Sequence, residues 1–286
     1  MIERNECFSN LAAGYLFPEV AKRRKLYQEK HPEAKIISLG IGNTTEPLTP
    51  HITKAMSDYA KSLGTKKGYS GYGDEQGLTE LRKKIADVLY PGMASADEVF
   101  ISDGAKCDIA RIQTLFGRKT PIAVQDPAYP VYVDGSVIVG AAGAYKKDGY
   151  KKVTYLPCTQ ENNFFPDLSV VPQNSLIYFC SPNNPTANAF EPELLLELAG
   201  RFRGIVIVDE AYTDFSAKAS VKDCIGQYPN LIVLQTLSKA YAMAGLRMGL
   251  AIADEQIISV FKQVKYPYNI GSDTLAVADR MLDRDV

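Results

Sequence analysis

Thr236-Leu237-Ser238-Lys239-Ala240-Tyr241-Ala242-Met243-Ala244-Gly245-Leu246-Arg247-Met248-Gly249 follows directly on an apolar run at 231–234, whose length and branching are those of a buried strand. Hydroxyls at 236 and 238, an amine at 239 and a guanidinium at 247 are thus delivered to the end of one strand. Taken alone, a Ser-Lys pair after a strand is usually a surface lysine near a turn. Its significance depends on what the rest of the chain brings to the same place.

Working outward, short β-rich runs alternate with helix-sized segments from about residue 98. The expected strands are 99–102, 122–125, 152–156, 176–180, 205–208, 232–234 and 249–253. This alternation implies an α/β fold, with a mostly parallel central sheet and helices on both faces. Upstream, helices are expected at about 19–30, 50–62 and 81–89, with a strand at 35–40. Glycines and tyrosines interleave at Gly68-Tyr69-Ser70-Gly71-Tyr72-Gly73, a tight loop presenting phenols. The end of the chain, 254–286, reads as helix, a Tyr266-Pro267-Tyr268-Asn269 break, and helix again. No linker or repeat interrupts 46–260, which reads as one large domain. Residues 1–45 form an N-terminal arm with a small-domain segment, and 261–286 begin a C-terminal segment.

The chain has 286 residues, a formal net charge of -1, five cysteines and two histidines. Near-neutral charge gives no electrostatic reason to expect nucleic acid or an acidic membrane as partner. The scattered cysteines, without CxxC spacing, read as reduced thiols of a cytoplasmic protein. Two histidines are too few for a His-rich metal site, and no metal is expected. Gly40-Ile41-Gly42-Asn43-Thr44-Thr45-Glu46-Pro47 resembles the start of a dinucleotide fingerprint, but the third glycine is missing and Pro47 falls where the helix should already run. A Rossmann-type dehydrogenase is therefore disfavoured.

In an open parallel sheet, ligands sit beyond the carboxyl ends of the strands. The polar residues after the expected strands are Gly104-Ala105-Lys106, Asp126 with Tyr129, Asn183-Asn184-Pro185-Thr186, Asp209-Glu210-Ala211-Tyr212, and the stretch from Thr236 to Lys239. Together they suit a phosphorylated aldehyde, pyridoxal 5'-phosphate. Lys239 supplies the amine that condenses with the aldehyde and later moves a proton between substrate Cα and cofactor C4′. Asp209 pairs with the pyridinium nitrogen, Asn184 and Tyr212 bond the ring 3′-oxygen, and Tyr129 stacks on the ring. Backbone N–H groups of Ala105 and Lys106 at a helix start, with Thr236, Ser238 and Arg247, hold the phosphate.

The chain resembles the fold-type I, pyridoxal-phosphate-dependent aminotransferases of class I/II. GYLFPEVAKRR, ISLGIGNTTEPL, GYSGYGDEQG, VFISDGAKCDIAR, AVQDPAYPVYVD, ENNFFPDLS and FCSPNNPT, all within residues 1–186, are similar to the LL-diaminopimelate aminotransferases. From about residue 188, GIVIVDEAYTDFS, PNLIVLQTLSKAYAMAGLRMGLAIA and VKYPYNI resemble the histidinol-phosphate aminotransferases. These segments suggest a join near Ala187, which stands where the family usually has glycine. The resemblance implies that Tyr15, Gly42, Tyr72, Lys106, Tyr129, Asn184 and Asn269 face the substrate. Tyr72 is expected to reach a neighbouring subunit's site, which implies a homodimer with shared active sites. It also implies a C-terminal small domain carrying an arginine for the substrate α-carboxylate, to which no residue of this chain corresponds. The expected reaction transfers an amino group from glutamate to tetrahydrodipicolinate, giving LL-diaminopimelate for lysine synthesis. The alternatives are transamination of histidinol phosphate with 2-oxoglutarate and a non-catalytic cofactor-binding fragment.

Overall fold

A computed structural model describes residues 2–11, 16–38, 42–75, 78–147 and 149–283. Its strands are β1 (Val99–Ser102), β2 (Ile122–Asp126), β3 (Tyr145–Lys146), β4 (Gly149–Tyr150), β5 (Val153–Pro157), β6 (Leu176–Cys180), β7 (Ile205–Asp209), β8 (Leu231–Thr236) and β9 (Gly249–Ala253). The helices are α1 (Leu16–Lys30), α2 (Pro50–Leu63), α3 (Thr79–Leu89), α4 (Ala105–Leu115), α5 (Val131–Ile138), α6 (Pro192–Arg201), α7 (Glu255–Val264) and α8 (Ser272–Met281). Seven strands form one sheet in the order β1-β9-β8-β7-β6-β2-β5, and β3 and β4 make a separate hairpin.

Neighbours from β5 to β8 are parallel. β9 is antiparallel to both β8 and β1, so it alone runs against the other six. A parallel crossover needs a dozen or more residues, usually carrying a helix. Between β8 and β9 the chain has only 237–248, with a single 3-10 turn at Ala244–Leu246, and it folds back instead of crossing the sheet.

Period-two burial fixes what each face of the sheet carries. Val206, Val208, Leu231, Val233, Leu250 and Ile252 pack with Leu81 and Ile85 of α3, Leu195 of α6 and Val277 of α8. Ile207, Ile232, Leu234, Ala251 and Ala253 pack on the other face with Ile109 and Ile112 of α4, Tyr132 of α5 and Phe261 of α7. Each valine, leucine or isoleucine among them contributes roughly 1.5–3 kcal/mol when fully buried, so a one-residue slip of any central strand is strongly disfavoured. The same parity decides the chemistry. Cys180, Asp209 and Thr236 end their strands on the α4 and α5 face, at the end of the sheet where Ser102 closes β1.

The seven strands expected from residue 98 onward are all found, within two residues at each end. The expected strand at 35–40 is not. Residues 35–38 pair with no edge of the sheet, and Ile37 is 76 % exposed. Leu39 and Gly40 lie outside the described residues. All five cysteines carry free thiols, and among the described residues no helix is long and apolar enough to cross a membrane.

Candidate active site

The stretch after β8 is a loop closed on itself at the sheet end. Thr236 pairs with Gly249 in register, and the Leu237 N–H donates to the Met248 carbonyl at 3.2 Å. Within it the Ala242 N–H donates to Lys239 O and the Met243 N–H to Leu237 O, both at 3.0 Å. Leu237, Met243 and Met248 are buried and tie the loop to the core. A compact loop packed by its own side chains holds its polar groups in place. The Thr236 hydroxyl donates to Ser238 Oγ at 2.9 Å, and the Ser238 N–H donates to Thr236 Oγ1 at 3.2 Å.

An anion cradle lies where this loop meets α4. The N-cap of α4 is Gly104, with φ 126° and no side chain to cap the first turn. A Cβ on Gly104 would lie 2.5 Å from Arg247 Nη2, and one on Gly249 would lie 2.6 Å from the Ala105 nitrogen. Glycine at both positions lets the guanidinium and β9 close onto the helix start, where N–H groups and the helix dipole favour negative charge. Arg247 holds its place in the left-handed region (φ 57°), with its Nη atoms donating to Ala244 O at 3.0 Å and Asp103 O at 3.1 Å. Beneath the cradle, Arg111 bridges Asp103 and the buried Asp108, and Ser102 donates to Asp108. Burial pushes the Asp108 carboxyl up to about 7, against the pull of Ser102 and Arg111.

Lys239 and Asp209 line the same cavity of about 320 Å³, together with Ala105, Lys106, Tyr129 and Tyr132. The Lys239 Nζ donates to the Gly42 carbonyl at 2.5 Å and lies 5.5 Å from the centre of the Tyr212 ring. Burial, and then the Arg247 guanidinium, lower the pKa of this amine, while Asp209 works the other way. Asp209 is buried at the tip of β7. Its Oδ2 accepts from the Tyr132 hydroxyl at 2.8 Å and its Oδ1 from the Ala211 N–H at 3.1 Å. Burial raises the pKa of Asp209, and the two donors and Lys239 oppose the rise.

Every residue expected to contact a cofactor lines this cavity: Ala105, Lys106, Tyr129, Asn184, Asp209, Tyr212, Thr236, Ser238, Lys239 and Arg247. Of the expected substrate-facing residues, Gly42 lines it as well, and a Cβ there would meet the Tyr212 hydroxyl at 2.9 Å. Tyr72 and Asn269 do not. Tyr72 packs against Tyr268 with centroids 4.7 Å apart and the rings tilted by 33°, and Asn269 donates to Asp103 Oδ1 at 2.9 Å. Tyr15 lies outside the described residues. Tyr132 and Cys180 reach the cavity without having been expected there. Tyr132 lies in the first turn of α5, whereas Tyr129 precedes the helix.

A sheet-end cavity that joins an amine, a buried acid and an anion cradle defines a class, and the chain belongs to it: it is a member of the class I and II aminotransferase family, which it matches over residues 34–285. It is 44 % identical over 266 residues to an LL-diaminopimelate aminotransferase of Protochlamydia amoebophila, covering 90 % of this chain and 65 % of that protein. It is 45 % identical over 266 residues to the chloroplastic LL-diaminopimelate aminotransferase of Arabidopsis thaliana, covering 90 % and 58 %. The solved L,L-diaminopimelate aminotransferase of Chlamydomonas reinhardtii superposes with a TM-score of 0.87 at 41 % identity, over 99 % of this chain and 74 % of that one. The aspartate aminotransferase of Thermotoga maritima, at 20 % identity and a TM-score of 0.79, shares the fold. The chain therefore spans 58 to 65 % of the length of those two curated relatives. With 90 % of this chain matched, the likeness to LL-diaminopimelate aminotransferases runs past residue 188 and does not stop at it.

Proposed function

We propose that this chain carries the cofactor site of a pyridoxal 5'-phosphate-dependent aminotransferase, with L-glutamate as donor and tetrahydrodipicolinate as acceptor. The products are 2-oxoglutarate and LL-2,6-diaminopimelate. One observation carries the cofactor assignment: Lys239, Asp209 and the α4 helix start border a single ring-sized cavity. The fit is supported by Gly104 and Gly249, where a Cβ would press on the Arg247 guanidinium and on the Ala105 nitrogen that border the cradle. The acceptor rests on the relatives, since those at 44 and 45 % identity are named LL-diaminopimelate aminotransferases.

Bound there, pyridoxal phosphate supplies an aldehyde and a ring that takes up the electron pair left when a substrate Cα–H bond breaks. Lys239 would condense with the aldehyde carbon with loss of water and, once a substrate amine has displaced it, would hold the proton taken from Cα. The lowered pKa of its amine suits both tasks. Asp209 would hold a proton on the ring nitrogen, Asn184 and Tyr212 would bond the 3′-oxygen, and Tyr129 would orient the ring. The N–H groups of Ala105 and Lys106, with Thr236, Ser238 and Arg247, would bind the phosphate. Gly42, Lys106, Tyr129 and Asn184 also border the space left for substrate. We assign 46–260 as the cofactor-binding domain, flanked by an arm at 1–45 and a C-terminal segment at 261–286. A second copy of the chain is the proposed partner, with Tyr72 completing its site.

An absorbance titration with cofactor tests this reading. The chain should gain a band from the lysine–aldehyde linkage, and Lys239→Ala should abolish it. Glutamate should then discharge the band, and tetrahydrodipicolinate should restore it to the aminated protein. Restoration by the histidinol-phosphate ketone instead would reassign the acceptor, and a band that glutamate leaves intact would make the chain a binder without turnover.

A further inference from the structure

We infer that Tyr132 is a positioning residue for Asp209, its phenol fixing the rotamer of the carboxylate that meets the ring nitrogen. The inference rests on the cofactor reading above. Its geometry is complete within this chain. Asp209 Oδ2 accepts from the Tyr132 hydroxyl at 2.8 Å and Oδ1 from the Ala211 N–H at 3.1 Å, so each carboxylate oxygen is held by one donor. A carboxylate oxygen has lone pairs to spare beyond one such bond. Held at both oxygens, the group keeps one orientation towards the cavity without being saturated.

Tyr132 is itself held on every side. Its ring stacks on Tyr178 at 5.2 Å and 20°, and meets the edge of Tyr129 at 6.0 Å and 90°. Its carbonyl accepts from Gln113 Nε2 at 2.7 Å and from the Ser136 hydroxyl at 2.8 Å. Gln113 reaches α5 only because residue 135 is glycine: a Cβ there would lie 1.8 Å from Gln113 Oε1. Thus α4, which bears the anion cradle at its start, also locks α5 and the phenol that reaches Asp209.

The chemistry favours a phenol. A donor to a buried carboxylate stabilises its charged form, and such a bond is roughly twice as strong as one between neutral groups. Burial, and then the charge of Asp209, raise the pKa of the Tyr132 hydroxyl, so it keeps its proton and remains a donor. Besides Tyr132, the ionisable groups facing Asp209 are Lys239, Cys180 and Tyr212.

The test is a double-mutant cycle read by cofactor affinity, with a second readout on the chain without cofactor. Tyr132→Phe keeps the stacked ring and should melt as the parent chain does. It should bind pyridoxal phosphate roughly tenfold more weakly, the loss expected for one hydrogen bond to a charged group. In an Asp209→Ala background the same change should cost nothing, because the phenol has no carboxylate left to hold. In the cofactor-free chain, infrared titration of the Asp209 carboxyl should show its protonation moving to higher pH in Tyr132→Phe. Unchanged affinity, an equal loss with and without Asp209, or an unmoved carboxyl titration would each overturn the inference. A parent chain that binds no cofactor at all would overturn the functional reading, and this one with it.

Discussion

Lys239, to which we assign the cofactor linkage, shows how a fold sets the chemistry of a single side chain. Its amine is depressed by burial first and by Arg247 second, so more of it is unprotonated at neutral pH, the form that attacks an aldehyde. Cofactor uptake followed by rapid-mixing absorbance should therefore level off at lower pH than uptake by free lysine. Arg247→Gln should move that midpoint upward while weakening the grip on phosphate, and an unmoved midpoint would remove the guanidinium as a cause. Asp108 titrates in the opposite sense. Its folded pKa of about 7 stands above the ordinary 3.8, so between those values the folded chain keeps a proton that the unfolded chain has released. The stability this proton confers is complete below the unfolded pKa and is lost as pH rises towards about 7, by up to about 1.4 kcal/mol per pH unit. Melts of the parent and of Asp108→Asn should show the parent losing ground from mildly acidic to neutral pH. A constant gap would mean that Arg111 keeps Asp108 ionised throughout. Residues such as Lys239, Asp209 and Asn184 were legible because each follows an apolar strand at crossover spacing. Tyr132 was not, because beside Val131 and Val133 it reads as helix filling, and its partner lies 77 positions away.

At the level of elements, composition and periodicity locate strands well and say nothing of their direction. β1, β6 and β9 are found at the residues expected of them, yet the reversal of β9 is written only in the shortness of 237–248. Burial on both faces makes a strand apolar whichever way it runs. The segment 35–38 failed for the converse reason: an apolar pair, Ile36-Ile37, suggests a strand, but a strand also needs an edge to pair with. Gly249 is where element packing and site chemistry meet. Its missing Cβ lets β9 approach the backbone of Gly104 and Ala105, and rigid backbone cannot yield as a flexible side chain can. Gly249→Ala should cost about 1–3 kcal/mol of stability, as overpacking typically does. Because the displaced atoms form the cradle, it should also weaken phosphate and cofactor binding more than its effect on the melt would suggest. Gly226→Ala, whose Cβ meets nothing within 4 Å, is the matched control. Equal effects from the two would show that the close approach is not needed.

For the molecule as a whole, the aromatic residues beside α8 and the 68–75 loop argue for a second copy. Tyr72 is 88 % exposed and packed against Tyr268, with Tyr69 and Tyr266 exposed as well. Lys265 donates to the Glu75 carbonyl, joining the loop to the segment before α8, and to the Tyr266 carbonyl at 3.3 Å. A cluster of exposed phenols on two pinned segments is the kind of surface that associating chains bury. Since the chain has no tryptophan, Tyr72→Trp introduces a single indole, whose emission overlaps the absorption of a bound pyridoxal ring. If residue 72 serves a neighbour's site, the indole should be quenched by cofactor only at concentrations where sedimentation shows dimers. The decisive mixture pairs a Tyr72→Trp/Lys239→Ala chain, which cannot hold the cofactor covalently, with cofactor-loaded parent chain. Quenching in that mixture requires the indole of one chain to stand beside the cofactor of another. Quenching that is independent of concentration would place residue 72 at its own chain's cavity, and no quenching at all would detach the 68–75 loop from the site.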